Sequence, residues 1–234
     1  MLIFYAPTIK TDPILPETES GHCARVLRKQ IGDMIDITDG KGNFFRARLT
    51  DIHPKKCRVE ILEERLWQPY WESNLEIALA PTKNMDRTEW FAEKVTELGV
   101  NKICFIKCRY SERKEIKAER IEKILISAMK QSQKALLPEL QAMTDFKQFV
   151  KQDFGGRKFI AHCYDSSKEP LVSTYIKGEN ALILIGPEGD FSEEEVTLAI
   201  QHGFEPISLG ESRLRTETAA LSACQTVHIL NQIG

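Results

Sequence analysis

Two stretches in the C-terminal third of this 234-residue chain combine residue types that can do chemistry. The first spans residues 181–190, where five apolar residues run straight into Gly186-Pro187-Glu188-Gly189. Glycines at both ends of so tight a loop permit positive φ and let a ligand approach the peptide groups, and Pro187 stiffens the turn between them. A plain turn uses the same residues, so this loop alone decides nothing. The second stretch is Leu209-Gly210-Glu211-Ser212-Arg213-Leu214-Arg215-Thr216-Glu217-Thr218-Ala219: another glycine, two arginines and the start of an alanine-rich helix. A helix N-terminus beside fixed cations suits an anionic group, or a negative charge that develops during a reaction.

Both stretches need a scaffold that holds strand ends side by side. From residue 75 onward the pattern predicts alternating strands and helices: strands at 75–80, 100–107, 158–163, 181–185 and 206–209, and helices at 86–98, 118–133, 145–151 and 216–233. Gly99 stands where a helix C-terminus wants a left-handed residue, and Ser192 with Glu195 has capping-box spacing for a further helix. Such alternation implies an α/β domain with a mostly parallel sheet, and ligands bind such sheets at the carboxyl ends of their strands. The first 65 or so residues instead read as short strands (2–6, 34–38, 44–51 and 57–62) with one helical piece at 22–29, the pattern of a small barrel. Between the two patterns, residues 66–74 carry Trp67, Tyr70 and Trp71, aromatics that seal a domain junction.

Composition excludes several classes. There is no GxxxxGK[ST], GxGxxG or GxSxG segment, which argues against a P-loop, a dinucleotide fold and a serine-hydrolase elbow. The six cysteines are scattered without a CxxC pair, so reduced thiols and no metal site are expected. Apolar runs such as residues 1–6 and Ala181–Ile185 are far short of a membrane span, and MLIFYAPTIKTD lacks the basic region of a signal peptide; a cytoplasmic protein is expected. The formal net charge of −2 hides an uneven distribution: residues 102–134 hold ten Lys/Arg against four Glu, and residues 25–48 hold six basic residues against three Asp. Such stretches are solvated faces or surfaces for RNA.

Taken together, IGPEG before a helix and LG-x3-LRTETA some twenty residues later resemble the paired signature of the knotted SPOUT-class ribosomal-RNA uridine-N3 methyltransferases. Lys83, Glu89, Lys94 and Glu97-Leu98-Gly99 match upstream, as do Gln131-Ser132-Gln133-Lys134 with Pro138, and His22 to Arg28 followed by Gly32. The likeness covers essentially the whole chain. Two positions depart from it: Asp190 stands where a third glycine is common, and Lys134 where arginine is common.

The resemblance implies a PUA-like RNA-binding β-barrel over residues 1–70 and a SPOUT methyltransferase domain over 73–234, its C-terminal part threaded into a trefoil knot. It also implies S-adenosylmethionine as cofactor, 16S ribosomal RNA of the small subunit as partner, and a homodimer. Carried over residue by residue, the cofactor pocket falls to His162, to Ile185, Gly186, Pro187, Glu188 and Gly189, and to Leu209, Gly210, Leu214 and Thr216. His162 is given no catalytic part and by itself reads more readily as a structural histidine. Arg215 is the expected stabiliser of the uracil anion, with Arg213 as second choice, and the alternative is a structural ion pair of Arg215 with Glu217 or Glu188. Arg25, Arg28, Lys29, Lys83, Arg87, Arg109, Arg113 and Lys134 are the expected RNA contacts. Two rival functions stay open on sequence: a catalytically silent RNA-binding protein, and an RNA 2′-O-ribose methyltransferase of the same class.

Overall fold

Alternation sets the first sheet. The computed structural model describes residues 2–69, 71–165 and 167–233, and Tyr70 lies outside them. The chain divides into two compact units, Met1–Pro69 with Leu125–Leu137, and Tyr70–Ile124 with Pro138–Gly234. In the first, β1 (Ile3–Tyr5), β2 (Met34–Thr38), β3 (Asn43–Asp51) and β4 (Arg58–Leu66) lie in that order. The β1–β2 pair is parallel and the others antiparallel. Along β3, Phe45, Ala47 and Leu49 point inward while Arg46 and Arg48 point out, the period-two pattern of a half-buried sheet. Residues 13–15 then zip onto the start of β4, Leu15 N–H donating to the Cys57 carbonyl at 2.9 Å and Val59 N–H to that of Pro13 at 3.0 Å. This returns the last strand to the segment that follows the first, as closure toward a barrel requires.

The helical piece expected at 22–29 begins earlier and is not uniform. Helix α1 (Glu17–Gly21) carries Glu17 and Glu19 in its first turn, where the helix dipole favours acids. A π-turn over His22–Val26 follows, and Arg28 then takes a left-handed φ of 51°. Arg25 and Arg28 are exposed and Lys29 half-buried. Lys134, expected on an RNA-facing surface, is instead 9% exposed. Gln133 adopts φ 56°, which turns the chain so that Lys134 and the fully buried Ala135 face inward, Ala135 joining Ile3 and Phe44. A phosphate contact does not suit so buried a cation.

The second unit is built on seven strands: β5 (Leu75–Leu79), β6 (Lys102–Lys107), β7 (Glu139–Asp145), β8 (Arg157–Ala161), β9 (Glu169–Pro170), β10 (Ala181–Ile185) and β11 (Phe204–Ser208). Their order is β7-β6-β5-β10-β8-β11-β9, and every adjacent pair is parallel. Strand β10 is buried at every residue, as a continuous apolar run in mid-sheet should be. The helices after α1 along the chain are α2 (Met85–Leu98), α3 (Ala118–Gln131), α4 (Phe146–Phe149), α5 (Leu171–Thr174), α6 (Glu193–Gln201) and α7 (Thr216–Gln232), all in the second unit except α3, whose residues from Leu125 onward belong to the first. Gly99 ends α2 at φ 102°, and Ser192 and Glu195 form the expected capping box on α6. Strand β7 and the β9–α5 pair were not expected; β7 is half-exposed with a polar sequence, and β9 is two residues long.

Gly156 marks where β8 enters the sheet against the end of the Asn180 loop. A Cβ there would lie 2.4 Å from the Asn180 backbone oxygen, so Gly156→Ala must push apart two neighbouring strands. The expected cost is about 1–3 kcal/mol, read as a lower midpoint in thermal or urea unfolding.

Candidate active site

Strands β10, β8 and β11 are neighbours, so the loops leaving their carboxyl ends meet. Between them lies a cavity of about 730 Å³. Ile185, Gly186, Pro187 and Glu188 line it from the first loop, His162 from the second, and Leu209, Gly210, Leu214, Arg215 and Thr216 from the third. Of the residues expected there, Gly189 alone is off the wall; a Cβ on it would sit 3.1 Å from Cβ of Tyr110. Gly186 has a packing reason for its identity, since an added Cβ would lie 3.1 Å from the Phe191 ring. Gly210 has a conformational one, φ 120° with open space where a side chain would start.

Arg215 is the N-cap residue of α7, in extended conformation and exposed, with no capping bond from its side chain. Among the described residues it makes no ion pair, and the carboxylates that could have claimed it are turned elsewhere. Glu188 Oε1 accepts the backbone N–H of Lys83 at 2.9 Å. Glu217, buried in the first turn of α7, lies 3.8 Å from Arg87 Nε, and its Oε2 has no hydrogen-bond partner. Arg87, expected on the RNA surface, therefore lines this cavity. Helix α2 packs on α7 and brings it there, a neighbourhood that spacing along the chain could not reveal.

The remaining expected RNA cations are held by local partners. Lys83 pairs with Glu112 at 2.8 Å, and Arg109 with Glu194 at 3.0 Å while lying over the Tyr110 ring. Arg113 donates to the backbone oxygens of Thr82 and Lys83. These are largely exposed pairs and contribute little to stability, so each cation can exchange its carboxylate or carbonyl for phosphate.

His162 is 9% exposed, and its Nδ1 has no hydrogen-bond partner. Burial, then the ammonium of Lys168, pushes its pKa below the ordinary 6.5, so the ring is neutral at pH 7. Because the folded chain takes up this proton only at lower pH than the unfolded chain does, stability falls as pH drops below about 6.5. His162→Gln is expected to flatten that part of a stability–pH profile measured by urea unfolding.

Burial also raises the thiols of Cys104 and Cys224 to about 12, which makes them structural rather than nucleophilic. Among the described residues no group of three His, Cys, Asp or Glu is placed to hold a metal ion, and no helix is long and apolar enough to cross a membrane.

Residues 69–228 match the family described as RNA methyltransferase domain, and residues 15–62 match the RNA methyltransferase PUA domain. The ribosomal RNA small subunit methyltransferase E of Synechocystis is 30% identical over 229 residues, covering 95% of this chain and 74% of that protein. This chain belongs to the ribosomal RNA small subunit methyltransferase E family. Among solved structures, a probable rRNA-methyltransferase from Porphyromonas gingivalis is 45% identical, covers 99% of this chain with 98% of its own, and superposes with a TM-score of 0.93. The methyltransferase E of Neisseria gonorrhoeae, crystallised with S-adenosyl methionine, is 26% identical, with coverage of 98% for both chains and a TM-score of 0.86. The methyltransferase E fold is thus a SPOUT-type parallel sheet with a PUA domain before it.

Proposed function

We propose that this protein transfers a methyl group from S-adenosylmethionine to N3 of a uridine in the 16S ribosomal RNA of the small subunit. One observation carries the reading: Arg215, without an ion pair among the described residues, shares at the start of α7 a cavity wall with the Gly186-Pro187-Glu188 turn, in a fold that binds this cofactor in a relative. The donor set fits the cofactor. His162 offers a buried Nδ1 without a partner, and Gly210 leaves room where a side chain would intrude. Ile185, Leu209 and Leu214 supply apolar cover for an aromatic base, while peptide groups of the three loops supply polar contacts.

When bound, S-adenosylmethionine supplies a methyl group activated by attachment to a cationic sulfur. Uracil N3 carries a proton and becomes nucleophilic only as that proton leaves. A fixed guanidinium beside the carbonyl oxygens that share the resulting charge favours the anion, and Arg215 has the freedom and position for this task. Glu188 lines the cavity and is the nearer choice of proton acceptor; Glu217 is buried behind the wall and acts on Arg87. Most of the acceleration then comes from positioning.

In this reading residues 1–70 bind RNA, residues 73–234 carry the transfer, and the protein works in the cytoplasm. The order β5-β10-β8-β11, in which the chain returns from the sheet edge at β9 to fill the gap between β5 and β8, supports a trefoil knot. Exposed Trp90 and Ile229, on the mutually packed α2 and α7, support a homodimer, which light scattering on the purified protein tests. Arg25, Arg28, Lys29, Lys83, Arg109 and Arg113 contact phosphate, so RNA affinity should fall by about 10³ or more between 50 and 200 mM salt if all six take part. An affinity indifferent to salt in filter binding contradicts those contacts. The function as a whole is tested by transfer of labelled methyl to small subunits that lack the modification.

A further inference from the structure

Asp190 has a left-handed φ of 66°. Glycine adopts that conformation freely and aspartate only at a cost, so the side chain must supply something in return. Its backbone N–H closes the turn by donating to the Pro187 carbonyl at 2.9 Å. Its carboxylate accepts two more backbone donors, Phe191 N–H on Oδ1 and Cys163 N–H on Oδ2, each at 2.8 Å. The second bond spans 27 positions in sequence and joins the loop after β10 to the loop after β8. Beside it the Tyr164 hydroxyl donates to the Phe191 carbonyl at 2.6 Å, and Lys168 Nζ holds the carbonyls of His162 and Tyr164. Asp190 itself lines the cavity.

We propose that Asp190 is a positioning residue, a latch that fixes the His162 loop against the Gly186-Pro187-Glu188 turn and so holds the cofactor cavity in its binding shape before the ligand arrives. The proposal rests on the cofactor reading above. A charge-assisted bond to a backbone amide is strong for its kind, and ordering a loop in advance removes a cost that binding otherwise carries. With glycine at this position the backbone relaxes but the inter-loop bond is absent.

Asp190→Gly is therefore the informative variant, because it suits the backbone and removes the carboxylate, losing the inter-loop bond to Cys163 together with the local one to Phe191. Calorimetry with S-adenosylmethionine and with its demethylated thioether product should show both affinities weakened alike, by about tenfold, since the latch acts on loop order and not on ligand charge. Hydrogen exchange at the Cys163 amide should speed up, KM for the cofactor should rise with kcat at saturation retained, and Asp190→Asn, which keeps one acceptor oxygen, should recover part of the affinity. Unchanged exchange at Cys163, or unchanged affinity, overturns the latch. Loss confined to S-adenosylmethionine also overturns it, in favour of a direct charge on the sulfonium. If the unaltered protein binds neither ligand, the cofactor reading fails, and the exchange rate at Cys163 still decides whether the latch exists.

Discussion

Arg215→Ala is expected to lower kcat for methyl transfer by about 10²–10³ while cofactor affinity stays within a few-fold, the effect of removing one preorganised donor to a developing oxyanion. The expectation follows from what surrounds Arg215. It stands at the first turn of α7, exposed, without a capping bond, and facing the cavity. Glu188 is engaged by the Lys83 amide and Glu217 faces Arg87, so no carboxylate neutralises the Arg215 guanidinium among the described residues. The alanine variant retains the helix and its N-terminal amides, and with them whatever those amides bind. Arg215→Lys keeps the charge but loses the planar fork, and should fall between the two. Single-turnover incorporation of labelled methyl, beside calorimetry of the cofactor, separates chemistry from binding; full turnover in the alanine variant contradicts the assignment.

Phe191→Ala is expected to cost about 3–5 kcal/mol of stability and to lower the melting midpoint by roughly 10 °C. The ring is wholly buried, sits 5.4 Å from that of Phe146, and presses on Gly186 from beneath. Its backbone takes part in the same structure: the N–H donates to Asp190 and the carbonyl accepts from Tyr164. Removing the ring leaves a cavity against the Gly186-Pro187-Glu188 turn, so if the proposed cofactor site is right, cofactor affinity should fall with stability. Phe191→Leu refills most of the space and should recover most of both. A loss below about 1 kcal/mol in urea unfolding shows that the turn does not depend on this support.

Features written in consecutive residues were legible before the structure. The apolar run at β10 could be only a buried strand, and Ser192 with Glu195 encodes its cap within one helical turn. Most residues around the cavity were legible for the same reason, since glycine, proline and arginine at strand ends carry their meaning locally. What escaped depends on contacts between distant segments. Arg87 faces the cavity because α2 lies against α7, and Lys134 is buried because Gln133 takes a positive φ. Gly189 answers to Tyr110 rather than to the cavity. Strand β7 has the composition of a loop and is ordered by pairing with β6, and the value of Asp190 lies in a bond to Cys163 that no local pattern announces.

The most direct test of the account is the identity of the modified nucleoside. Small ribosomal subunits lacking the modification are incubated with the protein and labelled S-adenosylmethionine, digested, and analysed by mass spectrometry. The expected product is 3-methyluridine at a single position. A 2′-O-methylated ribose would contradict the N3 chemistry assigned to Arg215 while keeping the methyltransferase fold, and RNA binding with no methyl incorporated into any ribosomal RNA would contradict the catalytic role itself.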